Sequence, residues 1–151
     1  MDIKAAIYHY CNYQERCHAE VRNKLYELGC TTPVVEQYIV DMIEIDMLNE
    51  ERYAKAYVRG KFRMLKWGRQ KLVQQLRLHK ISEYCIKKGL QEIEGDIYDE
   101  TLLELAKKKR TELKGEKNVF ILKSKLYRYL MQKGYENDLI QETINRVLKP
   151  E

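Results

Sequence analysis

One pattern of helix endings and apolar positions returns twice along this chain, first 51 and then a further 54 residues on. In the first copy Val21, Leu25, Gly29 and Cys30 close a helix, and Thr32 offers a cap for the next. Pro33 then stands at the first helical position, where no backbone donor is needed. The following helix carries Val34, Val35, Tyr38, Ile39, Met42 and Ile43 on a stripe of helical period. In the second copy the matching residues are Leu72, Leu76, Lys80 and Ile81, with Ser82 as the cap and Cys85, Ile86, Leu90 and Ile93 on the stripe. The third copy has Leu126, Leu130, Gly134 and Tyr135, then Asn137 as a cap, then Leu139, Ile140, Ile144 and Val147. Gly29 and Gly134 suit the left-handed residue that ends many helices; Lys80 is the weaker match.

Another amphipathic helix precedes each copy. The first covers residues 3–12, with Ile3, Ile7 and Tyr10 on one side. The second covers 50–65, capped by Asn49 and opened by Glu50 and Glu51, which suit the positive end of the helix dipole. The third covers 99–114 from Asp99, with Leu102, Leu103, Ala106 and Leu113. Gly95-Asp96 and Gly115-Glu116-Lys117-Asn118 read as loops. The expected fold is all-α: three tandem three-helix repeats at 1–48, 49–95 and 96–151, forming an elongated, curved body. Units of about 50 residues bury little surface alone and should stack. Only 7 Gly and 2 Pro among 151 residues argue against a many-stranded β protein, and 44% hydrophobic residues argue against disorder. A single compact bundle is the plain alternative.

Charge is unevenly placed. From Arg52 through Ser82 there are ten Lys or Arg and no Asp or Glu, while the rest of the chain holds 18 basic against 23 acidic residues. On the 50–65 helix, Tyr53, Ala56, Tyr57, Gly60 and Met64 are expected to face the core. Arg52, Lys55, Arg59 and Arg63 follow the same spacings on another face. Like charges at such spacing repel by a few tenths of a kcal/mol (about 0.2–0.5) per pair, so a facing row of phosphates or carboxylates would be welcome. Lys66, Trp67, Arg69, Lys71 and Arg77 extend the positive surface. Trp67 can cap a core, stack on a base or anchor an interface. The run Lys107-Lys108-Lys109-Arg110 is a secondary contact candidate, since Glu104 and Glu112 flank it as on many solvated helices. A generally basic, solvated face is the alternative for both.

No constellation points to catalysis. The chain lacks a P-loop, a dinucleotide-binding turn and a nucleophile elbow, and His9, His18 and His79 have no acid or nucleophile at informative spacing. Cys11, Cys17, Cys30 and Cys85 lack the paired spacings of a zinc site or a disulfide framework, and reduced thiols near a helical core are expected. His9 and His18 near Cys11 and Cys17 leave a metal site imaginable. The expectation is no catalytic residue, no cofactor and no metal. No apolar run reaches the roughly 18–20 residues that span a bilayer, and no signal peptide is recognised, so the cytoplasm is the expected compartment.

The segment Asn49-Glu50-Glu51-Arg52-Tyr53-Ala54-Lys55-Ala56-Tyr57-Val58-Arg59, followed by Gly68-Arg69-Gln70-Lys71-Leu72-Val73-Gln74-Gln75-Leu76 and Ile81, resembles the central signature of the RecX family. Arg16-Cys17-His18-Ala19-Glu20-Val21-Arg22-Asn23-Lys24-Leu25 resembles the family's first-repeat motif, with Cys17 where a small hydroxyl residue is common. Asn49 stands where an acid is usual, and Trp67 where a smaller aromatic is common. The resemblance covers essentially the whole chain through the three-repeat layout and is most specific in the middle third. It implies a bacterial cytoplasmic regulator of RecA recombinase. Such a protein docks as a monomer in the groove of the RecA–single-stranded DNA filament and lowers ATP hydrolysis, strand exchange and co-protease activity. The partners so implied are RecA and single-stranded DNA, double-stranded DNA also coming into question, with no membrane. The rival reading is a helical protein that binds DNA directly, without RecA.

Overall fold

The computed structural model describes residues 2–149, and the outer limits expected for the first and third repeats, 1 and 151, lie outside them. Among the described residues there are nine helices and no strand. They are α1 (Ile3–Tyr13), α2 (His18–Glu27), α3 (Thr32–Glu44), α4 (Glu50–Leu65), α5 (Arg69–Leu78), α6 (Glu83–Leu90), α7 (Gly95–Glu112), α8 (Val119–Lys133) and α9 (Asn137–Leu148).

The repeated punctuation is real backbone geometry. Gly29, Lys80 and Gly134 all take positive φ, at 92°, 61° and 99°. After each, the next residue's N–H reaches back five positions: Cys30 to Leu25, Ile81 to Leu76 and Tyr135 to Leu130, at 3.1, 3.1 and 3.3 Å. That is the Schellman ending, in which a left-handed residue lets otherwise orphaned carbonyls find donors. Lys80, the weaker match in sequence, adopts the same turn as the two glycines. Asp46 (φ 61°) repeats it at the end of α3, where the Met47 N–H reaches the Met42 carbonyl at 2.9 Å.

Several boundaries differ from expectation. Helix α7 begins at Gly95, four residues before Asp99, so Gly95-Asp96 is the first turn of a helix and not a loop. Thr31 takes the N-cap position of α3, leaving Thr32 and Pro33 inside its first turn, and Glu136 takes that of α9, with Asn137 already helical; neither side chain makes a capping hydrogen bond. Neighbouring polar residues compete for a cap, and sequence alone does not rank them. Ser82 does cap α6, accepting from the Cys85 N–H at 3.2 Å. The loop before α8 stands, and Asn118 caps that helix.

The chain forms two compact units. The first comprises Met1–Tyr57 and Gln75–Gln91. Its core is Ile7, Val21, Leu25, Val35, Ile39, Met42 and Leu48, where α2 packs on α1 and α3. Tyr53, Ala54, Leu76, Ile81 and Ile86 are also buried. The second comprises Val58–Gln74 and Glu92–Glu151, with α7, α8 and α9 packed pairwise around Leu102, Ala106, Leu126, Leu130, Ile140 and Ile144. The unit limits fall inside α4, inside α5 and between α6 and α7.

Within the second unit two glycines touch through their backbones. A Cβ on Gly68 would lie 2.4 Å from the carbonyl carbon and oxygen of Gly134, and one on Gly134 would lie 2.3 Å from Cβ of Lys71. By contrast, nothing lies within 4 Å of a Cβ built on Gly29. The Gly68 N–H donates to the Lys133 carbonyl at 2.7 Å, and the Gln70 N–H to the Gly134 carbonyl at 2.9 Å. Gly134→Ala combines a left-handed penalty with overpacking against backbone and should cost about 2–5 kcal/mol. Gly29→Ala meets only the first of these and should cost about 1–2 kcal/mol. Lys80→Gly should stabilise, by up to about 1 kcal/mol. Urea unfolding of the three variants checks this order.

Candidate basic interface

Helices carry all the candidate cations but Lys66, which lies in the turn between α4 and α5. In the first unit, Asn49 caps α4 as expected, its side-chain oxygen accepting from the Arg52 N–H at 3.0 Å. Arg52 is not an unmatched cation. Its Nε lies 2.7 Å from Glu15 and one terminal nitrogen 3.1 Å from Asp46, and it also donates to the Asp46 carbonyl at 2.9 Å. The Glu15 hydrogen bond raises the guanidinium pKa further above its ordinary value. Lys55 pairs with Glu51 at 3.2 Å, and Arg77 makes two bonds to Glu83, at 2.7 and 3.1 Å.

In the second unit Arg59 pairs with Glu92. Arg63 and Lys66 are exposed and have no ion-pair partner among the described residues. Lys66 takes φ 60° just after α4, and its carbonyl accepts from the Tyr135 hydroxyl at 2.8 Å. Trp67 is half-buried, its ring 5.4 Å from the Lys61 ammonium and 4.7 Å from that of Lys71. Lys71 also donates to the Gln132 carbonyl at 3.3 Å. Arg69 serves the fold: its N–H donates to the Tyr98 hydroxyl at 2.9 Å, and its guanidinium lies 3.8 Å from the Tyr98 ring centre and 2.8 Å from Glu136. The Tyr98 hydroxyl in turn donates to Glu136, and burial pushes its pKa far up, so it stays a neutral donor. Tyr98 and Tyr135 are fully buried, with ring centres 5.0 Å apart.

The expected acid-free stripe is thus corrected. Sequence between Arg52 and Ser82 holds no acid, but Glu15, Asp46, Glu51, Glu83, Glu92 and Glu136 arrive from outside it and neutralise Arg52, Lys55, Arg59, Arg69 and Arg77. The core face also shifts. Tyr53, Ala54 and Val58 are buried, whereas Met64 is 77% exposed and Ala56, Tyr57 and Gly60 are half-buried. Tyr57 packs instead beside Tyr53 and His79, with ring centres 5.8 and 5.7 Å away. In the secondary run, Lys109 is held by Glu112 and lies 4.8 Å from the Tyr129 ring centre, while Lys107, Lys108 and Arg110 are exposed. Sequence reading counts Lys61 in the basic segment without singling it out as a contact, and does not foresee the parts played by Tyr98, Tyr135 and Glu136. No linear signal joins those three to the basic segment, since Arg69 and Glu136 are 67 positions apart.

Cys17 is buried as the N-cap of α2, and burial pushes its thiol, like that of Cys11, up to about 11. Among the described residues no three His, Cys, Asp or Glu side chains converge as metal ligands, and no helix is long and apolar enough to cross a membrane.

Recurring three-helix groups with segregated charge define an all-α helical-repeat protein. Residues 49–90 match the second three-helix domain of RecX and residues 96–144 the third, together more than half the chain. The chain belongs to the RecX family of regulatory proteins. It is 32% identical over 133 residues to regulatory protein RecX of Clostridium perfringens (strain 13 / Type A), covering 87% of this chain and 62% of that relative. Regulatory protein RecX of Prosthecochloris aestuarii is 25% identical over 141 residues, 92% of this chain and 89% of its own. The chain thus spans less than two thirds of the length of the clostridial relatives it matches. The crystal structure of RecX from Lactobacillus salivarius superposes with a TM-score of 0.82 at 24% identity, covering 95% of this chain and 92% of that one, and shares the fold.

Removing the Tyr98 hydroxyl (Tyr98→Phe) strands the Arg69 N–H and one Glu136 oxygen. Stability should fall by about 1–3 kcal/mol. A double-mutant cycle with Glu136→Gln should give a coupling of about 1 kcal/mol or more, and a coupling near zero would show the two groups to be independent.

Proposed function

We propose that this chain restrains RecA recombinase by binding in the groove of the RecA–single-stranded DNA filament, and so lowers ATP hydrolysis, strand exchange and co-protease action. On this proposal it is a cytoplasmic monomer of three tandem repeats that works by binding, without cofactor or catalysis. Its relatives carry the name regulatory protein RecX, which supports a regulatory role. The observation that carries the site assignment is the turn from α4 to α5. There Arg63 and Lys66 stand exposed without carboxylate partners, beside Trp67 with Lys61 and Lys71 over its ring. A cation and aromatic surface of this kind suits DNA phosphates and bases or acidic protein loops equally.

Within the wider set, Arg59 can exchange Glu92 for a phosphate, because a solvent-exposed pair is worth only about 0–1 kcal/mol. Arg52, Lys55, Arg69 and Arg77 act mainly in holding the helices, and Lys107, Lys108 and Arg110 lie outside the main surface. The second reading, direct DNA binding, draws on the same Trp67 setting, since indole rings flanked by cations stack well on single-stranded bases.

Titration into RecA filaments while ATP hydrolysis is followed, with bare-strand affinity measured at matched salt, separates the two. Filament regulation predicts loss of hydrolysis at concentrations that leave the bare strand unbound. Direct binding predicts no effect on RecA and a salt slope of about −0.7 per phosphate contact on the bare strand. The double variant Arg59→Glu with Arg63→Glu should keep its helicity and need about tenfold more protein for the same inhibition, the loss of roughly one charged contact. Unchanged inhibition would reject the assignment.

A further inference from the structure

The geometry points to a second anion site in the same unit, a cleft lined by the C-terminal ends of α7 and α9 that takes phosphate groups. The cleft has a volume of about 540 Å³ and is lined by Lys107 and Arg110 from α7 and by Arg146 and Lys149 at the end of α9, with Leu103 and Val147 among its apolar residues. Lys107 and Arg110, three positions apart, share a face of α7, and Arg146 in the last turn of α9 is joined by Lys149, the extended residue that ends that helix. None of the four has a salt-bridge partner among the described residues, and no carboxylate lines the cleft. Glu104, Glu112 and Glu142 lie close in sequence but are not part of it, Glu112 being engaged with Lys109.

A helix dipole favours cations at each C-terminus taken separately. It does not require that the cations of two helices line one concavity with no carboxylate among them. Their mutual repulsion is relieved when an oxyanion enters, and apolar walls beside them strengthen the field it meets. Four positive charges without a counter-charge fit a ligand with several adjacent phosphates, either consecutive phosphodiesters of a nucleic-acid strand or a free polyphosphate. Guanidinium groups supply planar paired donors for phosphate oxygens, and both Arg110 and Arg146 can do so. The site is separate from the Arg63–Lys66 surface and needs no RecA.

The test measures binding of a fluorescent oligothymidylate by anisotropy across a salt series, and of sodium tripolyphosphate by calorimetry. Both use the full chain, without RecA. The variant Arg110→Glu with Arg146→Glu is compared with Lys117→Glu and Lys123→Glu, an equal change of charge at exposed positions outside the cleft. Thermal melts confirm that each folds. The expected result is about a tenfold or greater loss of oligonucleotide affinity for the cleft variant alone, with its salt slope reduced by about 1–2 phosphate contacts. Loss of tripolyphosphate binding with oligonucleotide binding intact would support the site and assign it to free polyphosphate. Equal losses in the two variants, or binding of both probes unchanged, would overturn it. So would binding of polyglutamate without either phosphate probe. RecA inhibition is read separately, so this site can fail while the filament reading stands, and the reverse.

Discussion

The backbone contact between Gly68 and Gly134 is the constraint on which the second unit depends. Two main chains approach there with no side chain between them, close enough for the Gly68 and Gln70 N–H groups to reach the Lys133 and Gly134 carbonyls. Those bonds satisfy donors at the start of α5 that would otherwise be orphans. They also fix the turn from α4 to α5 against the end of α8, and the turn brings Lys66 and Trp67 with it. Tyr98 and Tyr135 can then be fully buried, because one hydroxyl finds Arg69 and Glu136 and the other finds the Lys66 carbonyl. A buried hydroxyl left without a partner would cost about 1–3 kcal/mol, and among the described residues no buried side-chain polar atom lacks one.

The same network divides the cations by task. Arg69 is committed on both its backbone and its guanidinium, and its bonds to Glu136 and over the Tyr98 ring are partly buried. Removing such a partner leaves a charge in a poorly solvated place, which is expensive. Arg63 and Lys66 have no such duty. Placing a phosphate beside them costs no competing bond, whereas recruiting Arg52 would first break two carboxylate contacts and two carbonyl contacts. A net count of charge along the chain therefore overstates the number of cations available to a ligand.

Helix number, order and two of the four expected caps, Asn49 and Ser82, were legible in the sequence because both signals are local. A 3.6-residue apolar period and a capping residue act within one or two turns. Met64 shows where this fails: it continues the Tyr53, Tyr57, Gly60 series, yet buried Ala54 and Val58 place the core face one residue round, and the end of α4 leaves Met64 in solvent. Gly95 fails for another reason. Glycine marks loops on average, but as the first helical residue after Glu94 it loses no inner hydrogen bond and carries little penalty. The basic segment was legible as charge and illegible as a site, since all the neutralising acids but Glu51, which sits four residues before Lys55 on the same helix, come from outside α4 and α5. The cleft of Lys107, Arg110, Arg146 and Lys149 joins residues on two helices that only packing brings together.

The three helix endings also explain why a repeat can be clear in structure and blurred in sequence. All three copies need a left-handed residue, at Gly29, Lys80 and Gly134. The conformational penalty for a side chain there is only about 1–2 kcal/mol, small enough to be offset elsewhere, and Lys80 meets it. At Gly134 the penalty is of another kind. A Cβ would be driven into Lys71, so no rotamer or small backbone adjustment accommodates it. Glycine at the first copy is thus a preference, at the second it has been given up, and at the third it is a steric requirement. Identical local geometry imposes unequal demands on the sequence because the neighbours of each turn differ, and the demand is greatest where the turn is also a packing surface.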